Sequence, residues 1–136
     1  MGRKIKVGEE LTPFVRATGL ANWNRYAAVN NEFVPIHMDD EAGRKAGYPS
    51  AFGMGNLQWA YLHNALRDWL GEEGEILELS CQYRSANVKN QTLTVRGVVR
   101  DVSEDDFMQI IDLELWVEDQ NGVKLAPGSA KVALPR

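Results

Sequence analysis

The sequence predicts an α+β fold in which one long helix is wrapped by a curved antiparallel sheet. Three observations predict it. From about Phe52 or Gly53 to Leu70 the apolar residues recur at helical spacing in two rows. One holds Met54, Leu57, Tyr61, Ala65 and Trp69, the other Trp59, Leu62 and Leu66. A helix that is apolar around most of its circumference has to be enclosed. After it the period changes from helical to alternating, and strands follow one another to the end of the chain. Finally, 136 residues with a 44% apolar fraction suit one domain with a core of its own, residues 1–136.

In chain order, Gly8 to Glu10 reads as a turn, and Leu11 to Ala17 as a short strand that Pro13 confines to a sheet edge. Leu20 to Val29 reads as a helix with Thr18 as its N-cap and Leu20, Trp23, Tyr26, Ala27 and Asn30 on one face; the two asparagines, Asn30 and Asn31, end it. Met38 to Ser50 is polar. Its first half starts a short helix with acidic residues, and Gly47 and Pro49 stop it, which marks the segment as a flap beside the site. Ser50 is placed to cap the long helix and Gly71 to end it.

Leu77, Leu79, Cys81 and Tyr83 then alternate with polar residues, as do Leu93, Val95, Gly97 and Val99. A further strand runs from Phe107 to Glu118, the Asn121-Gly122 turn follows, and Val123 to Leu134 forms the last strand. The expected order is a short strand, a helix, the long helix, and an antiparallel meander. A single curved sheet leaves an unpaired edge that a second copy, or a related chain, covers by extending it, so a homodimer or a heteromer is expected.

Net charge is −4 and the charges are scattered, which argues against nucleic acid as a partner. No run approaches the roughly eighteen apolar residues of a membrane span. The start from Met1 to Lys6 leads into no apolar stretch, so a cytoplasmic protein without a signal peptide is expected. A single cysteine, Cys81, excludes an internal disulfide, and with only His37 and His63 beside it no metal-ligand spacing exists, so no structural metal is expected.

The chemistry concentrates in Tyr26-Ala-Ala-Val-Asn-Asn-Glu-Phe-Val-Pro-Ile-His37, which sets a carboxylate, Glu32, and an imidazole, His37, five residues apart around a proline-stiffened bend. This stretch resembles the signature of the MaoC-like (R)-specific enoyl-CoA hydratases and dehydratases. There an aromatic-Ala opening leads to Ser-Gly-Asp, a spacer, Asn-Pro, an aliphatic residue and His. Tyr26, Ala27, Pro35, Ile36 and His37 agree without a gap, and Ala51-Phe-Gly-Met54 is similar to the family's Ala-His-Gly-Met. Asn30 and Asn31 stand where Ser-Gly is usual, Glu32 replaces Asp, Val34 replaces Asn, and Phe52 replaces the second histidine.

The resemblance implies the hot-dog fold, hydration of an acyl thioester at its 2,3 double bond, and no cofactor beyond the thioester's own carrier, coenzyme A or acyl carrier protein. It implies Glu32 and His37 as the acid/base pair and Gly53 in an oxyanion hole. Asn31, Phe33, Phe52, Met54 and Trp59 are the expected substrate contacts, and Arg84, Lys89 and Arg96 the candidate phosphate contacts. Three readings compete. A non-catalytic or half-catalytic subunit of a heteromeric hydratase is motivated by the departures. A thioesterase needs a carboxylate early in the central helix, where Asn56 and Gln58 stand and no acid comes before Asp68. An acyl-binding module without turnover is the third.

Overall fold

The computed structural model describes residues 3–136; Met1 and Gly2, the first two residues of the basic start, lie outside them. The alternating segments pair into one five-stranded antiparallel sheet in the order β1-β3-β4-β5-β2. Its strands are β1 (Phe14–Ala17), β2 (Glu75–Cys81), β3 (Thr92–Glu104), β4 (Met108–Glu118) and β5 (Lys124–Pro135). The helices are α1 (Leu20–Asn30), α2 (Asp40–Lys45) and α3 (Gly55–Leu70). Strand β1 lies at an edge, as Pro13 requires, and is shorter than the expected span.

The expected meander holds only for β3, β4 and β5. Strand β2 pairs with β5 instead of β3, so the chain from Gln82 to Gln91 crosses from one margin of the sheet to the other. That crossing supplies much of the site. The alternation expected in β2 also slips, because a bulge between Ile76 and Glu78 turns Ile76 inward and leaves Leu77 44% exposed.

One face of the sheet presents Leu93, Val95, Val99, Ile111, Leu113, Leu115, Val117, Leu125 and Val132. These gather in one core with Leu57, Tyr61, Leu62, Ala65, Leu66 and Trp69 of α3. Burying a side chain of this size is worth about 2 kcal/mol, so the helix is held by its surroundings more than by its own propensity. Trp59 breaks the second apolar row and lies at the surface, 36% exposed. The opposite face of the sheet is charged, with Arg100 bonded to Glu114, Arg96 to Glu118, and Lys124 over the Trp116 ring.

Both expected caps move. Helix α1 is entered at Gly19, whose N–H donates to Asn22 Oδ1, because Thr18 uses its hydroxyl on the Gln91 carbonyl. Helix α3 starts at Gly55 behind Met54, not behind Ser50. The residues between them are committed elsewhere. Phe52 N–H donates to the Ile36 carbonyl and Gly53 N–H to the Asn87 carbonyl, which holds this piece extended between two neighbouring segments.

The ion pairs make the acid side of the stability profile predictable. Asp40 is held below the usual carboxylate range by its hydrogen bond to Lys89 and then by the Ala51 N–H, Glu104 by Lys4, Asp105 by the N–H groups of Phe107 and Met108, and Glu114 by Arg100. A carboxyl whose folded-state value is lowered contributes stability that is complete above its unfolded value, about pH 4, and lost as pH falls through the folded one. Urea midpoints should therefore be level through neutral pH and decline below about pH 4. A midpoint that rises on acidification would contradict these pairings.

Candidate active site

The site begins where α1 ends. Asn31 takes a left-handed conformation with φ of 52°, a backbone shape that asparagine tolerates better than most residues. Glu32 N–H then returns to the Ala27 carbonyl at 2.9 Å, and the chain reverses. This leaves the Glu32 side chain half-buried near Tyr26, whose phenol is pushed up first by burial and second by the Glu32 charge.

Past the reversal, Pro35–His37 forms one turn of 3₁₀ helix, with proline at the position where its missing N–H costs nothing. It delivers His37 to the Phe52 carbonyl, 2.7 Å from Nδ1. A carbonyl oxygen only accepts, so Nδ1 carries a proton, and the neutral form of the ring has Nε2 as its acceptor. The Phe52 ring meets the imidazole edge-on, with centroids 5.3 Å apart and planes at 83°. Orientation and tautomer of the histidine are thus both set by the residue at which the family signature has a second histidine.

The N–H expected to meet an oxyanion is already engaged. Gly53 N–H is taken by the Asn87 carbonyl at 2.6 Å and has nothing to give a ligand. The N–H groups of Met54, Gly55 and Asn56 have no acceptor among the described residues, as the first turn of a helix dictates, and sit at the positive end of α3. Gly53 is required for another reason: a Cβ there would lie 2.7 Å from Trp23 Nε1 and 2.9 Å from Asn87 Oδ1.

A cleft of about 230 Å³ opens at this helix start, walled by Tyr48, Phe52, Gly55, Gln58, Tyr83 and Ser85. Phe52 joins it to the histidine, since its carbonyl holds His37 while its ring packs on Tyr48 in the cleft wall at 4.2 Å. Of the other expected contacts, Phe33 is 57% exposed on the reversal, and Asn31 is exposed and shapes the backbone. Met54 is sunk in the core at 1% exposure and Trp59 faces outward, and neither lines the cleft. Arg84 is at the cleft, whereas Lys89 is paired with Asp40 and Arg96 with Glu118.

The polar segment expected as a flap is fastened. The Asp39 carboxylate caps the Ala42 N–H, the Asp40 carboxylate accepts from Ala51 N–H and from Lys89 Nζ at 2.7 Å, and a Cβ on Gly43 would overlap the Ser50 backbone. The places of Tyr48, Tyr83 and Asn87 at the site were not read from the sequence. Tyr48 lies in the polar segment after α2, and Tyr83, expected as a strand residue, lies with Asn87 in the crossing loop, which is recognisable only once β2 and β3 are known not to be neighbours.

No family model matches the chain, and no curated protein matches it in sequence. Solved structures do match. The (R)-hydratase from A. caviae involved in PHA biosynthesis superposes with a TM-score of 0.86 at 22% identity, covering 98% of this chain and 99% of its own. The chain has the hot-dog fold. A MaoC-like dehydratase from Rhodospirillum rubrum gives a TM-score of 0.84 at 17% identity, over 97% of this chain and 94% of that one. A chain of the ChsH1-ChsH2 complex from Mycobacterium tuberculosis gives 0.85 at 15% identity, over 96% and 99%. The resemblance carried by residues 26–37 thus extends, as a likeness of fold, over almost the whole hot-dog chain.

Proposed function

We propose that this protein is an (R)-specific enoyl-CoA hydratase, or in reverse a 3-hydroxyacyl-CoA dehydratase, in which Glu32 and His37 act as the acid/base pair. The observation that carries the reading is the 2.7 Å bond from His37 Nδ1–H to the Phe52 carbonyl. It leaves Nε2 as the free ring nitrogen, and Phe52, whose carbonyl holds the histidine, precedes by two residues the first of the unpaired N–H groups at the start of α3. Glu32 and Nε2 hold one water. As its oxygen bonds to C3 of the enoyl thioester, the water gives up a proton to this pair, and the electron pair of the double bond moves onto the thioester oxygen. The N–H groups of Met54, Gly55 or Asn56 receive that oxyanion. Return of a proton to C2 completes the addition of water.

The acyl thioester is carried by coenzyme A or acyl carrier protein, with Arg84 at the cleft as the cation nearest its phosphates. The first turns of α3 carry Asn56 and Gln58 and no aspartate or glutamate before Asp68, which disfavours a thioesterase that draws its carboxylate from that helix. A second reading, a subunit of a heteromeric hydratase, is favoured by the free edge at β2. There Leu77 is 44% and Tyr83 50% exposed, ready for a homodimer or for a related partner chain.

The test is incubation of the purified chain alone with a panel of enoyl-CoA esters from short aliphatic to sterol-sized, following the conjugated thioester absorbance and free thiol. Loss of absorbance without thiol release is the expected result. Thiol release would point to thioesterase action. Turnover appearing only after a second hot-dog chain is added would establish the subunit reading.

A further inference from the structure

Among the described residues, one buried side-chain polar atom has no partner, and it belongs to the cleft. Gln58 is 2% exposed on the first turns of α3, and its Oε1 bonds to nothing among the described residues. Its Nε2 donates to the Ser85 carbonyl at 3.4 Å. That contact fixes which way the amide faces, since turning it over would set two acceptors against each other. Leaving a buried carbonyl oxygen unpaired is unfavourable, and a leucine or methionine would fill this place on an enclosed helix without that cost. An acceptor kept dry and unpaired in the wall of a cleft is complete only when a ligand brings it a donor.

We propose that Gln58 is a specificity residue, and that the ligand of the cleft carries an O–H or N–H donor which Gln58 Oε1 accepts. The inference rests on the thioester reading. Gln58 follows Gly55 by three positions, so the two lie on one face of the helix, and side chains lean toward the helix start. With the thioester oxygen on the free N–H groups there, the donor sits about one helical turn away, roughly 5 Å. Two groups of an acyl thioester meet that spacing: a hydroxyl near the fourth carbon of the acyl chain, and the first amide N–H of the pantetheine arm. Tyr48, Phe52 and Tyr83 supply ring surface to other parts of the wall, and none of them donates to Gln58 Oε1.

The experiment compares binding of crotonyl-CoA and 4-hydroxycrotonyl-CoA to wild type and to Gln58→Met, which keeps length and volume. If the donor is the acyl hydroxyl, wild type prefers the hydroxy ester by about tenfold or more and the variant loses that preference. If the donor is the pantetheine amide, the variant weakens both esters by a similar factor. Either result supports the proposal, provided the ligand-free variant melts no lower than wild type, as expected when an unpaired buried oxygen is removed. A lower melting point together with unchanged binding would make Gln58 a packing residue and overturn the proposal. Equal binding of both esters by both proteins overturns it while leaving the thioester reading intact. Binding of neither ester by wild type overturns both.

Discussion

His37→Ala is expected to lower kcat for hydration by about 10²–10⁴, the usual contribution of a positioned acid/base group. The melting temperature should change little, because His37 is half-buried and its side chain makes one hydrogen bond, to the Phe52 carbonyl. Glu32→Gln should cost a similar factor, since it keeps the size of the side chain and removes its basicity. If the two groups hold one water, the double variant will be scarcely slower than the worse single one, because a pair acting as a unit is lost once. Glu32→Asp decides whether the departure from the family's aspartate is built in. The carboxylate would retreat by about 1.5 Å, and with a backbone shaped for glutamate by the Asn31 turn the rate should fall on the order of a hundredfold. An aspartate variant as fast as wild type would show that the reversal adapts to either acid. Hydration undiminished in His37→Ala would remove the imidazole from the mechanism.

The parts of this structure that follow from periodicity could be read before any coordinates. The enclosed helix, the alternating strands of β3 to β5 and the Asn121-Gly122 turn are local patterns. The turn forms as its residues dictate, with Gly122 at φ of 78° and the Asp119 carboxylate accepting from the N–H groups of Asn121 and Val123. The residues proposed as acid and base, Glu32 and His37, stood out for the same reason, five residues along one bend. What stayed hidden was decided by pairing at a distance. Nothing near Leu77 announces a bulge, and nothing near Gln82 announces that the chain leaves β2 to cross the sheet. The helix start was misplaced because Phe52 and Gly53 spend their N–H groups on Ile36 and Asn87, one from an earlier turn and one from that crossing loop. The Gly53 N–H expected to face an oxyanion is one of the two so engaged. A glycine preceding a helix signals close approach, and here the close neighbours are Trp23 and Asn87.

Asn87 is therefore the residue whose loss should cost most in stability around the site. It is 2% exposed, and its Oδ1 accepts from Trp23 Nε1 at 3.2 Å. Its Nδ2 lies 2.9 Å from Thr18 Oγ1 and 3.0 Å from Gln91 Oε1, and its backbone carbonyl holds Gly53. Thr18 and Gln91 keep a bond to each other through the Thr18 hydroxyl and the Gln91 carbonyl, and Gln91 Oε1 keeps the Val88 N–H. Trp23 keeps nothing. Its indole is fully buried, so Asn87→Ala strands an N–H without water and opens a void beside it, for a loss of about 2–4 kcal/mol. For a domain of this size that lowers the melting temperature by roughly 3–5 °C per kcal/mol. Trp23→Phe removes the stranded donor, so adding it to Asn87→Ala should cost less than the two single effects combined. Calorimetry on the four proteins measures this. Strict additivity would mean that the indole bond contributes nothing. Additivity would also separate the anchoring of Gly53, which passes through the Asn87 backbone and survives both substitutions, from the side-chain network that surrounds it.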